Sequence, residues 1–249
     1  MHLDKASCKC LHLQSLAFGL HLCYSGCAAA TIDDTAASVA TVTPWHWRAR
    51  KGMDHRGFFD EAAAKWDSLE TPETFARLRE IVGGLGIMPG ASVLDVGCGT
   101  GVLFPILVES TCAQGRIVAL DISGEMLRYA QAKGYPIACV QGDAQCLPLA
   151  EAVFDWVICN GVLPHFPNKV QALRELRRAL RDDGTLVICH ANSWRAINAI
   201  HRSIGGVVAH DMVPDPDTVK NLLRQAHMRL VEIVDASDRY LAVARRDHA

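Results

Sequence analysis

From Gly57 onward the apolar positions alternate between helical and strand rhythms. Phe58, Phe59, Ala62, Ala63 and Trp66 recur at helical spacing and predict a short amphipathic helix. Thr71-Pro72-Glu73 is a helix start, with Thr as cap and Pro at the first helical position; the helix runs through Leu78 and Ile81 to Gly83-Gly84. Val93 to Val96 is a short apolar strand closed by a glycine turn, and a helix follows from about Val102 to Ser110. Further strands are predicted at Ile117–Leu120, Ile137–Val140, Phe154–Cys159 and Thr185–Cys189. Between them, Ser123 caps a helix carrying Met126, Leu127 and Ala130, and Val170, Leu173, Leu176 and Leu180 share one face of a helix over Asn168–Arg181. Asp182-Asp183-Gly184 reads as the turn into the fifth strand.

Five buried strands alternating with helices imply a parallel sheet covered on both faces. The ending differs. A helix from about Asp217 to Ala226 leads to Leu230–Val234, a polar turn at Ser237-Asp238, and Tyr240–Ala244, which together predict an antiparallel hairpin. The expected architecture is a seven-stranded, mostly parallel α/β sheet ending in that hairpin. The domain is expected over residues 53–249.

Composition narrows the function classes. Half of the 249 residues are apolar, and the formal net charge of -2 offers no broad electrostatic footprint for nucleic acid, so a small-molecule partner is expected. Leu11 to Ala30 is mildly apolar and ends in Cys27-Ala28-Ala29-Ala30, as a signal cleavage region would. His12, Gln14 and His21 interrupt it, and it is too short and polar for a membrane span. Residues 1–52 are therefore expected to be a disordered extension. Of ten cysteines, Cys139, Cys159 and Cys189 sit inside strand-like runs, and no repeated C-x-x-C spacing suggests a zinc ribbon. A reducing, cytoplasmic compartment is expected; the oligomeric state is not legible.

The chemistry concentrates at Val93-Leu94-Asp95-Val96-Gly97-Cys98-Gly99-Thr100-Gly101. A buried strand delivers Asp95, the glycines let backbone pass close to a ligand, and the next helix start offers free N–H groups. Alone, such a turn serves a dinucleotide equally well. Asp121 ends the second strand where a carboxylate can accept ribose hydroxyls; Gly142-Asp143-Ala144 follows the third strand and Asn160 the fourth. All lie at the carboxyl ends of parallel strands, where open α/β sheets bind ligands.

With Asp121-Ile122-Ser123, Phe154-Asp155 and Gly184 added, Phe58 to Arg245 resembles class I S-adenosylmethionine-dependent methyltransferases, most of all the small-molecule branch of ubiquinone and menaquinone C-methyltransferases. The resemblance implies a Rossmann-like fold, S-adenosylmethionine as cofactor and methyl transfer to a small acceptor. It implies that Asp95, Gly97, Cys98, Gly99, Thr100 and Gly101 hold the methionyl end. Asp121 with Ile122 would take the ribose, Asp143 with Ala144 the adenine, and Asn160 the wall near the sulfonium. Two other readings stand beside it. One is a regulatory protein that binds the cofactor without transfer. The other is a nicotinamide oxidoreductase, because Tyr129 and Lys133 match the Tyr-x-x-x-Lys pair of short-chain dehydrogenases. Against the latter, the pair sits on the sheet's flank and position 102 is Val where G-x-G-x-x-G needs glycine.

Methyl transfer asks mainly for positioning, and a base only where the acceptor carries a proton. His165, after the fourth strand, is the candidate base. His190, His201 and His210 are candidates for substrate contact or for metal binding, although no ligand spacing favours a metal. The segment Asn192 to Pro214 is expected to cover the acceptor pocket. Arg174, Arg177, Arg178 and Arg181 make a basic helix face expected to meet solvent.

Overall fold

Strand β1 (Ser92–Val96) is buried on both faces, and the molecule is arranged around it. The computed structural model describes residues 53–247; the expectation for residues 1–52 lies outside them. In chain order the elements before the second strand are α1 (His55–Trp66), α2 (Pro72–Gly83), β1 and α3 (Phe104–Thr111). There follow β2 (Arg116–Asp121), α4 (Gly124–Ala132), β3 (Ala138–Gln141), β4 (Phe154–Asn160) and α5 (Lys169–Ala179). The chain continues with β5 (Leu180–His190), α6 (Trp194–Ile204), α7 (Pro216–Gln225), β6 (Met228–Ala236) and β7 (Arg239–Arg246).

The seven strands form one sheet in the order β3-β2-β1-β4-β5-β7-β6. Pairings β2–β3, β1–β2, β1–β4 and β4–β5 are parallel; β7 is antiparallel to both β5 and β6. Strand alternation divides β1 between two cores. Leu94 and Val96 pack with Leu173 and Leu176 of α5 and Leu223 of α7, whereas Val93 packs with Leu78 of α2 and Leu107 of α3. Each such buried Leu or Val contributes roughly 1.5–3 kcal/mol of apolar burial. The hairpin forms because β6 and β7 are joined by Ser237-Asp238 alone, a link too short for a parallel crossover.

Four local expectations shift. The third helix begins at Phe104 rather than Val102, because Gly101 to Leu103 is a turn. The helix expected to reach Arg181 ends at Ala179, and the turn expected at Asp182-Asp183-Gly184 lies within β5. Leu180 pairs with Phe154 and Thr185 with Trp156, so residues 181–184 bulge out of register. The segment after β5 folds as α6 and a short 3-10 turn, Gly206–His210. The arginine face is not merely solvated. Arg178 pairs with Glu175 and donates to the Leu147 and Leu149 carbonyls, while Arg174 and Arg177 donate to the carbonyls of Gln225 and His227. These arginines tie α5 to the neighbouring loops and to the start of β6.

Candidate active site

The sheet order reverses at β1, whose neighbours β2 and β4 lead in opposite directions, so the loops leaving their carboxyl ends diverge and open a crevice. The glycine loop occupies that crevice in a backbone conformation few other residues tolerate. Gly97 has φ +64, and a Cβ there would lie 2.3 Å from Cγ2 of Val162. Gly101 has φ +87, and a Cβ there would lie 2.7 Å from the Phe104 ring. Asp121 braces the loop from β2. Its Oδ2 accepts from the Gly99 N–H at 2.8 Å, and its Oδ1 accepts from the Ser123 N–H at 2.8 Å. Burial raises the Asp121 carboxyl above its ordinary range, and these N–H donors oppose the rise.

Helix α1 crosses the opening. Asp60 Oδ1 accepts from the Ser123 hydroxyl at 2.6 Å and from the Glu125 N–H at 3.2 Å, fixing α1 to the start of α4. Beyond its end, Asp67 receives the Thr100 hydroxyl and, at 3.0 Å, the Lys133 ammonium. Beneath lies a cavity of about 340 Å³, within the range of small-molecule sites. Asp95, Gly97, Cys98, Gly99, Asp121, Ile122, Asp143, Ala144, Asn160 and His165 all line it, with Phe59 and Trp66 of α1 on the facing wall.

A family described as Methyltransferase domain matches residues 94–188. The ubiquinone/menaquinone biosynthesis C-methyltransferase of Hahella chejuensis is 29% identical over 217 residues, covering 74% of this chain and 87% of that protein. A protein of unassigned function from transposon TN4556 of Streptomyces fradiae is 33% identical over 126 residues, covering 49% of this chain and 36% of the transposon protein. A solved S-adenosylmethionine-dependent methyltransferase from Aquifex aeolicus superposes with a TM-score of 0.61 at 22% identity, covering 73% of this chain and 97% of that one. Residues 94–188 thus match a methyltransferase domain, and the chain is similar to S-adenosylmethionine-dependent methyltransferases over most of its length.

The methyltransferase cavity fits its cofactor on an observation independent of kinship. Asp95 is 1% exposed, and its Oδ2 makes no hydrogen bond. Burial, helped by the nearby charge of Asp121, pushes the Asp95 carboxyl up to about 7. A carboxylate so placed is relieved by a cation, and the methionyl end of S-adenosylmethionine carries an ammonium. At the other end Asp143 Oδ1 accepts from the Gln145 N–H at 2.8 Å, which orients Gln145 beside Ala144 on the cavity wall.

The structure does not bring every expected residue to the cavity. Thr100 is buried and spends its hydroxyl on Asp67, and Gly101 turns against Phe104; neither lines the crevice. Tyr129 and Lys133, the oxidoreductase-like pair, lie outside it as well, Tyr129 beneath the Arg128 guanidinium and Lys133 on Asp67. The histidines separate. His210 is exposed. His190 is buried against the Tyr240 ring with Nε2 unpartnered, and its pKa is pushed down to about 3 by burial and by neighbouring His165 and His201. His201 lies 5.1 Å from His165, ring centre to ring centre, and its Nδ1 meets the Asp211 backbone carbonyl.

Among the described residues the metal-capable group is His55, His165 and Asp211, and it includes none of His190, His201 and His210. Asp211 Oδ2 meets His165 Nδ1 at 2.7 Å and His55 Nε2 at 2.8 Å. Burial lowers the His165 pKa, which keeps the imidazole neutral near pH 7. Sequence reasoning missed His55, Phe59 and Trp66 as site residues. The amphipathic signal of α1 was visible, but its role as a cover was not.

Proposed function

We propose that this methyltransferase acts on a small, largely apolar molecule whose nucleophilic atom is a hydroxyl or a ring carbon activated by one. Bound S-adenosylmethionine supplies a methyl group on a sulfonium. Asp95 pairs with the methionyl ammonium, Asp121 accepts the ribose hydroxyls, and Gln145 with Ala144 and Ile122 borders the adenine. Asn160 and Gly161 flank the methyl group. The acceptor lies between Phe59 and Val162, with its acidic proton toward the polar group formed by His55, Asp211 and His165. Transfer needs that proton removed or polarised, because a neutral hydroxyl is a poor nucleophile. Phe59 and Trp66 exclude water, so the reacting atoms meet in a dry, fixed geometry.

The observation that carries this reading is the placement of His165 on the cavity wall that Asp95 and Asn160 share. The apolar character of Phe59, Val162 and Phe166 around it supports an aromatic acceptor, as do relatives named for quinone biosynthesis. The net charge of -2 supports a small acceptor over nucleic acid. Among the described residues six cysteines are free, which supports a reducing compartment such as the cytoplasm, and no helix is long and apolar enough to cross a membrane. Calorimetric titration with S-adenosylmethionine, followed by mass-spectrometric detection of methylation across a panel of phenols and hydroquinones, tests the reading. Tight cofactor binding with no product across acceptor classes would favour the regulatory alternative. Nicotinamide binding in the same titration would favour an oxidoreductase.

A further inference from the structure

We propose that His55, His165 and Asp211 form a site for one divalent transition-metal ion at the acceptor end of the cavity. This inference rests on reading that end as the acceptor pocket. Two imidazole nitrogens and one carboxylate oxygen converge there from three separate parts of the chain, all within 4.8 Å of one another. Both histidines address the same oxygen, Oδ2, at 2.8 and 2.7 Å, so the two imidazoles share one carboxylate atom. Metal–ligand bonds of about 2.0–2.2 Å hold neighbouring ligand atoms roughly 3–3.5 Å apart, so the two N–O separations open by a few tenths of an ångström around an ion.

The ligand set has a defined chemistry. Two histidines and one carboxylate leave coordination positions open, as in catalytic zinc sites and in the facial triad of non-haem iron. The side chains are sheltered but reachable, His55 at 25% exposure and His165 and Asp211 at 13% each. His55 and His165 line the cavity, so an ion between them borders the space the acceptor fills. Supporting contacts hold the set in place. His201 Nδ1 meets the Asp211 backbone carbonyl, and the Phe59 ring packs edge-on against His165 at 5.1 Å. An ion here takes the acceptor's hydroxyl oxygen on an open position and lowers its pKa, the proton leaving to solvent. In that state His165 is a ligand, not the base.

The test uses the full chain, purified without an affinity tag and stripped with a chelator, then titrated with Zn²⁺, Mn²⁺ and Fe²⁺ by calorimetry and thermal shift. One ion per chain is expected to bind. His55→Ala and Asp211→Asn should each weaken binding by at least about tenfold to a hundredfold, with the fold verified by circular dichroism. A variant with Cys8, Cys10, Cys23 and Cys27 changed to Ser should bind unchanged. Absence of stoichiometric binding, or binding equal in His55→Ala, Asp211→Asn and the parent, overturns the metal site. Methyl transfer that persists in chelator also overturns it while leaving the methyltransferase reading intact. Failure to bind S-adenosylmethionine would instead strike that reading, and the metal titration does not depend on it.

Discussion

Asp95 ties cofactor binding to folding stability in a way that one substitution separates. Its carboxyl is buried, unpartnered at Oδ2 and raised from the ordinary 3.8 to about 7. At 1.36 kcal/mol per pH unit, that rise corresponds to roughly 4 kcal/mol against the ionised form in the folded protein. Because the folded pKa lies above the unfolded one, the folded state holds the proton more tightly. Stability is therefore fully present below about pH 4, declines between about pH 4 and 7, and is level above. Asp95→Asn keeps the shape and removes the charge. Urea denaturation at pH 8 should show the variant more stable than the parent by up to roughly 4 kcal/mol, with little difference near pH 4. Its affinity for S-adenosylmethionine should move the other way. Losing a charge-assisted hydrogen bond costs about 1.5–3 kcal/mol, or about tenfold to a hundredfold in Kd. Cofactor affinity in the parent should rise close to tenfold per pH unit from about pH 5 to 7, because the proton must leave before the ammonium pairs. The variant should show no such slope. Equal stability at pH 8, or an unchanged Kd, would refute the assignment of Asp95 as the ammonium's partner.

Asp121→Ala removes the acceptor of two backbone N–H groups as well as the proposed ribose contact, so both stability, by about 2–3 kcal/mol, and cofactor affinity should fall; a folded variant with unchanged Kd removes Asp121 from the site. Gly97→Ala should cost at least about 1–3 kcal/mol of stability by thermal denaturation, from a non-glycine residue at φ +64 and the contact with Val162. Val162→Ala should not rescue it, because the Val162 Cβ itself stands 2.5 Å from the added carbon. His210→Ala should leave methyl transfer unchanged because the side chain is exposed, whereas His201→Ala should lower turnover by loosening Asp211, with cofactor Kd held; equal effects would refute the separation. A chain beginning at Met53 keeps Asp54, whose side chain caps α1 by accepting from the Gly57 N–H, and should fold and bind cofactor as the full chain does; loss of either gives residues 1–52 a structural role.

The layered sheet, the hairpin and the order of acidic residues along the crevice are legible in the chain's own pattern. The reason is local. Apolar runs mark strands buried on both faces, and the proposed cofactor contacts sit at strand ends, within two or three residues of a pattern that the chain displays. Asp95 and the glycine loop follow directly from Val93–Val96, as Asp121 follows from the strand before it. Tertiary structure decided the rest. Thr100 was expected at the cofactor, but packing turns its hydroxyl to Asp67, 33 positions away in sequence. The arginines of α5 looked solvated because their partners are backbone carbonyls, which every residue carries and no pattern marks. The acceptor end owes most to the fold. His55 and Asp211 stand 156 positions apart, and an isolated histidine before a helix has no local signature of the carboxylate it will meet. Only the closing of α1 over the strand ends brings the two together against His165.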